Sequence, residues 1–362
     1  MEEHLLTEMP KRYPINGTFE LTVRCNLHCK MCLFRHDDSE NEELKKKELT
    51  TEQWISLGKQ AAEAGTLHLL ITGGEPMLRP DFCDIWKGLY RMGFFLQLYT
   101  NATMVTQEII ETLRKYPPHK IGVTIYGISP ETYQKACGNR EAFKKTIEGI
   151  RQLMELPSLL EIRTTIIKEN RSDLEKMEDF LRETFHYSGQ LIHSDFVAKP
   201  VRGGSSDVAA CRLEPEEQAD LGIYRITRSI NDYFDKKEIP TPDYKLKVVK
   251  RKDEKKEDRL TLFGCDAGME SYTIGWNGEL LGCQLMEETG VNCVELGFEK
   301  AWEEYPFSIE QKEAICDHCK YQEKCPTCYA IRKIEMDGGM KCSEYCRRYA
   351  KRRMAWLRKG EN

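Results

Sequence analysis

Two periodicities alternate along the first 200 residues of the chain. Short apolar runs rich in β-branched and aromatic residues fall at 18–23, 66–72, 94–100, 120–126, 159–167 and 190–198. Between them lie segments whose apolar positions recur three and four apart, at 51–64, 81–92, 106–116, 130–137, 140–155 and 171–185. The first texture predicts strands and the second amphipathic helices. Thr50 and Gln53 stand where a capping box would open the first of these helices. Strand–helix alternation repeated this often predicts an α/β fold with a parallel sheet and right-handed helical crossovers. Six units fall short of the eight of a closed barrel, so an open or partial barrel is expected. In such sheets ligands bind at the carboxyl ends of the strands.

Beyond residue 200 the alternation stops. Residues 201–206 (VRGGSS) read as a loop, 214–237 as a helix, and 245–259 as a mixed-charge run typical of a solvated linker or hairpin. From residue 260 the texture changes to short strands, turns and closely spaced cysteines, ending in a basic helix at 343–358. The expected organisation is an N-terminal extension at 1–16, a barrel core at 17–200, a bridging segment at 201–259 and a cysteine-rich unit at 260–362.

Composition narrows the class. Of 362 residues, 40% are hydrophobic and 31% charged, a globular balance. No run approaches the ~20 apolar residues of a membrane span. The charged stretch up to Pro10 lacks a signal core, so a cytoplasmic location with no membrane partner is expected. A net charge of −5 argues against a nucleic-acid partner. The chain holds 15 cysteines, and in a reducing compartment their tight clusters point to metal or iron–sulfur ligation rather than disulfides.

Cys25, Cys29 and Cys32 form C-x3-C-x2-C directly after the first predicted strand. Three thiolates can hold three irons of a [4Fe–4S] cube, and a closed cluster needs four. The fourth iron would stay open, a Lewis-acidic site able to chelate an amino group and a carboxylate. A structural zinc site completed by His28 or His36, and plain burial, are the other readings of this spacing. After the second strand comes Gly73-Gly74-Glu75-Pro76. Paired glycines permit close backbone approach to a ligand, and Glu75 can accept hydrogen bonds from an ammonium group.

With CNLHCKMC and GGEP in this order, the stretch from Gly17 to Ala198 resembles the radical S-adenosylmethionine (SAM) enzymes. That resemblance implies a partial (β/α)6 TIM-like barrel in which the open iron binds SAM. One electron cleaves the sulfonium, and the resulting 5′-deoxyadenosyl radical removes a hydrogen atom from the substrate. By the same resemblance Cys25, Cys29 and Cys32 would ligate the cluster and act in catalysis. Gly73, Gly74 and Glu75, with Pro76 closing the motif, would meet the methionine ammonium. Thr100, Asn101 and Thr124 would contact the SAM ribose and methionine. Lys135 or Arg163 would pair with its carboxylate. Met31 occupies the position that, in the family, packs near the adenine.

The C-terminal cysteines are Cys265, Cys283, Cys293, Cys316, Cys319, Cys325, Cys328, Cys342 and Cys346. The turn signal Trp276-Asn277-Gly278 predicts a hairpin that brings Cys265 and Cys283 together. Paired C-x2-C knuckles are also zinc signatures. This region resembles the SPASM extension of peptide-modifying radical SAM enzymes, a cysteine-rich domain holding two auxiliary [4Fe–4S] clusters. The resemblance implies Cys316, Cys319, Cys325 and Cys346 for the outer cluster and Cys265, Cys283 and Cys328 for the inner one. Asp266, Cys293 or Cys342 would complete the inner set, or its last iron would stay open to substrate. Cys83 and Cys137 are expected in the core.

The resemblance implies an oxidoreductase with SAM and three [4Fe–4S] clusters that matures a ribosomally made precursor peptide by crosslink, thioether or similar oxidation. A low-potential donor such as flavodoxin or ferredoxin would supply electrons. With about sixteen residues before the first strand, leader recognition is expected from a separate protein or this chain's own surface. The basic helix (Arg347, Arg348, Lys351, Arg352, Arg353) is one candidate surface. The alternatives are an anaerobic sulfatase maturase or another SPASM dehydrogenase, and, outside enzymes, an iron–sulfur or zinc binding module.

Overall fold

Six strands carry the alternation into space. They are β1 (Asn16–Glu20), β2 (His68–Thr72), β3 (Phe95–Thr100), β4 (Lys120–Thr124), β5 (Leu159–Thr164) and β6 (Ile192–His193). The computed structural model describes residues 12–194, 196–203, 206–236, 265–286, 290–305, 319, 321, 328–336 and 342–359. All six strands pair in parallel in the order β6-β5-β4-β3-β2-β1. The crossover helices are α1 (Asn41–Lys47), α2 (Thr51–Glu63), α3 (Phe82–Tyr90), α4 (Gln107–Lys115), α5 (Pro130–Cys137), α6 (Ala142–Leu153) and α7 (Leu174–Phe185). The capping box forms as expected: Thr50 N–H donates to Gln53 Oε1 at 2.8 Å and Gln53 N–H to Thr50 Oγ1 at 3.3 Å.

One face of each strand supplies the core. Phe19, Leu69, Ile71, Leu96, Leu98, Ile121, Val123 and Ile162 belong to one buried cluster beneath the helices. Because successive strand residues face opposite ways, the other face carries Thr18, Glu20, Thr72, Gln97, Tyr99, Thr124 and Arg163. A closed barrel fills its interior with branched aliphatics. Here, apart from Leu70, Phe95 and Leu159, the interior face is polar, as suits a lumen that takes a ligand.

The C-terminal region extends this sheet. β7 (Ser271–Ile274) pairs in parallel with β1, and β8 (Glu279–Leu281) and β9 (Val291–Asn292) follow antiparallel. The predicted hairpin is therefore present, turning at Gly278 with φ +87°, a conformation glycine adopts without strain. Helices α8 (Val208–Cys211) and α9 (Pro215–Lys236) follow β6. Helices α10 (Cys293–Leu296), α11 (Phe298–Glu304), α12 (Tyr329–Glu335) and α13 (Glu344–Lys359) follow the hairpin. Among the described residues no helix is long and apolar enough to cross a membrane.

Three expectations change. The strand expected at 190–198 shrinks to two residues at the sheet edge. The strand expected at 18–23 leaves the ladder after Glu20, because the GGEP turn takes its next carbonyls: Gly74 N–H donates to Thr22 O at 2.6 Å and Glu75 N–H to Arg24 O at 3.0 Å. The basic helix is also less free than expected. Arg348 pairs with Glu216 and Glu214, and Arg352 with Asp220, all beside α9. The 245–259 run and Cys316 and Cys325 lie outside the described residues.

A buried ion network props the cysteine loop from below. The Arg79 guanidinium donates to Leu21 O at 3.0 Å, to Leu49 O at 2.9 Å and twice to the Asp81 carboxylate, while Arg24 forks onto Glu48 at 2.8 Å. Arg79 also approaches Glu48 at 3.5 Å. Replacing it with leucine strips the Leu21 and Leu49 carbonyls and the half-buried Asp81 carboxylate of their cationic partner, while Glu48 keeps Arg24. Arg79→Leu is expected to cost about 3–5 kcal/mol, as for other broken buried pairs, read by calorimetry as a Tm lower by roughly 10 °C.

Candidate functional site

The cysteine loop leaves β1 at its carboxyl end and is pinned to α5. His28 N–H donates to Cys137 O at 2.9 Å and Lys30 N–H to Ala136 O at 3.0 Å. Behind it Leu27, Met31, Tyr133 and Ile167 form an apolar cluster. Cys25, Cys29 and Cys32 are half-buried and line one cavity of about 90 Å³ together with Gly73, Gly74, Arg35 and Tyr126. Burial, then neighbouring Cys29, pushes the Cys32 thiol up to about 11, and burial raises Cys25 well above the usual thiol range. Cys29 is raised first by a hydrogen bond with Cys137 and then by burial. Such crowded thiols hold their protons until a cation displaces them.

Among the described residues, no three His, Cys, Asp or Glu side chains converge tightly enough to surround a single ion. Three soft thiol donors line one cavity, a donor set that suits a cubane, whose irons take one thiolate each. The donor set and the glycine-lined wall therefore suit a [4Fe–4S] cluster with one iron free.

The glycine pair proves to serve the loop as well as the cavity. A Cβ at Gly73 would lie 2.3 Å from Thr22 O, and one at Gly74 would lie 2.2 Å from Arg24 O. No larger residue lets the GGEP turn lie against the 22–24 backbone. Glu75 is fully buried beneath. Its carboxylate accepts from Met77 N–H at 3.1 Å, Asn101 N–H at 2.8 Å and Thr100 Oγ at 2.9 Å. Burial pushes its pKa up to about 7 against those hydrogen bonds. Glu75 therefore ties the ends of β2 and β3 together rather than standing free in the cavity. Pro76 opens the short 3₁₀ turn that follows.

The remaining expected SAM contacts divide. Thr100 and Asn101 are buried at the end of β3, both engaged with Glu75. Thr124 and Arg163 are register partners on β4 and β5. The Arg163 guanidinium stacks 4.3 Å over Tyr99, its Nη1 buried without a hydrogen-bond partner. Gly122 leaves the room for this, since a Cβ there would lie 2.6 Å from the Tyr99 ring. Lys135 does not join them. It is exposed on α5, because Thr132, Tyr133, Ala136 and Cys137 take that helix's inner face. Met31 is packed in the apolar cluster behind the loop and does not line the cavity.

Two groups escaped the sequence reading. Tyr126 lines the cavity within electrostatic reach of Cys29; its place just past β4, on the ligand side of a parallel sheet, was the available signal. Arg202 forks onto Glu20 at 2.7 Å, stacks 4.2 Å over Phe34 and lies within electrostatic reach of Cys283. It joins the loop after β6 to the end of β1, a contact no local pattern announces.

The C-terminal cysteines are partly gathered. Cys265, Cys283 and Cys328 interact electrostatically: burial, with Cys328 and Cys265 alongside, pushes the Cys283 thiol up to about 11. Cys293 is engaged elsewhere, donating to Gly278 O at 2.9 Å within the main core. Asp266 accepts Met269, Glu270 and Ser271 N–H groups through its carbonyl. Cys319 and Cys342 are half-buried and Cys346 is buried at the start of α13.

Residues 19–181 match the Radical SAM superfamily. An AdoMet-dependent heme synthase of Methanosarcina barkeri is 25% identical over 91% of this chain and 95% of its own length. The PqqA peptide cyclase of Bradyrhizobium diazoefficiens is 28% identical over 44% of this chain and 41% of its own. Among solved structures, Streptococcus suis SuiB bound to precursor peptide SuiA aligns with a TM-score of 0.68 at 18% identity, covering 92% of this chain and 76% of that one. This last likeness is one of fold.

Proposed function

From the premise that residues 19–181 belong to the radical SAM superfamily, we propose that this chain is a SAM-dependent oxidoreductase that matures a ribosomally made peptide. One observation carries the reading: three half-buried thiols and a glycine turn share a cavity at the carboxyl ends of neighbouring parallel strands. Cys25, Cys29 and Cys32 would hold the cluster. The Gly73–Gly74 backbone and Arg163 would receive the amino and carboxylate groups of SAM. Bound there, a cluster reduced by an external donor would supply the electron that cleaves the sulfonium, and SAM the carbon radical that takes a hydrogen atom. The chain's own part is to hold the loop rigid through Arg79 and Glu75 and to present a polar lumen to the substrate.

The peptide assignment draws on SuiB's precursor peptide and on the peptide cyclase. The division into a barrel and a cysteine-rich unit, two auxiliary [4Fe–4S] clusters in the latter, a flavodoxin- or ferredoxin-type donor and a separate leader-binding protein belong to the same proposal. A second reading rests on the long match to the heme synthase: a haem-type tetrapyrrole as substrate. Anaerobically reconstituted protein is expected to hold about twelve irons per chain and to release 5′-deoxyadenosine with SAM and a reductant. Peptides encoded beside the gene should then change mass while an iron porphyrin does not. The reverse result establishes the tetrapyrrole reading, and zinc in place of iron removes both.

A further inference from the structure

Asn101 is held on every side but one. Its N–H donates to Glu75 at 2.8 Å, and its carbonyl accepts from Thr146 Oγ1 at 3.1 Å. Its side-chain Oδ1 accepts from Thr103 N–H at 2.9 Å and from Thr103 Oγ1 at 2.6 Å. A backbone N–H can only donate, so it fixes which end of the amide is oxygen. The Nδ2 end must therefore face the other way. One of its hydrogens goes to Asn26 Oδ1 at 3.0 Å, and Asn26 Nδ2 closes a ring onto Thr103 Oγ1 at 2.7 Å. The other hydrogen is left for Cys25 Sγ, which lies 3.8 Å from Nδ2, within reach of a long hydrogen bond to sulfur.

We propose that Asn101 is a positioning residue whose amide donates a hydrogen bond to the Cys25 thiolate and thereby sets the reduction potential of the cluster held there. The inference rests on the reading of Cys25 as a cluster ligand and replaces the expected contact of Asn101 with the ribose. Reduction adds negative charge to the cluster and its sulfurs. A fixed N–H dipole aimed at one of them stabilises the reduced state more than the oxidised one, raising the potential. Because Asn26 and Thr103 lock the amide, the donor needs no reorganisation when the electron arrives. Glu75 serves the same end by gripping the Asn101 backbone from the GGEP turn.

The test is EPR-monitored potentiometric titration of the reconstituted N-terminal cluster. Asn101→Ala should shift its midpoint negative, so that the ratio of reduced to oxidised cluster at a fixed potential falls about threefold or more. Asn101→Asp, which turns an oxygen on the sulfur, should shift it further. Thr103→Val removes one of the two locks and should give a smaller shift of the same sign. It carries the test should Asn101→Ala fail to assemble. Variants that bind cluster and keep the wild-type midpoint overturn the inference while leaving the proposed function intact. A wild-type chain that assembles no cluster overturns both.

Discussion

Cys29→Ala is expected to lower 5′-deoxyadenosine release from reduced, SAM-loaded protein by at least about 10³-fold, some 4 kcal/mol at the transition state. The reason is positional. Cys29 sits between Cys25 and Cys32 on the loop, interacts electrostatically with Tyr126 and Cys137, and shares the cavity with the glycine turn. Losing it leaves two thiolates for a cube that needs three to keep one iron selectively open. Iron should fall by about four per chain in step with activity. Cys137 gives the experiment a second arm, because a buried thiol already touches the vacated position. Iron retained by Cys29→Ala but lost by Cys29→Ala/Cys137→Ala would show that neighbour stepping in. Full release in the double variant would refute the loop as the cluster site.

Locally encoded features were legible. The Thr50–Gln53 capping box, the six strand–helix units and the turn at Gly278 each arise from residues a few positions apart, where sequence spacing is spatial spacing. The cysteine loop was legible for the same reason. What stayed hidden depends on pairs far apart in the chain. Asn101 reaches Cys25 across 76 positions and Arg202 reaches Glu20 across 182. The glycines of GGEP were legible as a close approach, yet what they approach is the 22–24 backbone, which the β1–β2 pairing brings so near that a Cβ added at Gly73 would lie 2.3 Å from Thr22 O. Lys135 shows the converse situation. A cation near the right strand looked like a carboxylate partner, but the helical phase set by Tyr133 and Ala136 turns it to solvent.

The second large effect concerns the other end of the chain. Cys283→Ala is expected to leave 5′-deoxyadenosine release within about threefold, under 1 kcal/mol, while product formation falls about a hundredfold or more, at least 2.7 kcal/mol. Cys283 follows β8, whose hairpin partner β7 is bonded directly to β1, so its site is built onto the barrel sheet rather than tethered to it. Arg202 stands within electrostatic reach of Cys283 and is paired with Glu20 at the end of β1. In the proposed function the first hydrogen abstraction leaves a substrate radical, and a net two-electron oxidation must still remove one electron. A cluster held by Cys265, Cys283 and Cys328 would receive it. Removing one thiolate there spares the cavity at the cysteine loop, so SAM is still cleaved but the substrate is not carried through to product. Liquid chromatography of 5′-deoxyadenosine and mass analysis of the peptide, run on one reaction, separate the two yields. If Cys283→Ala formed product at the wild-type rate, electron removal would have to occur elsewhere, and the C-terminal cysteines would lose their redox role.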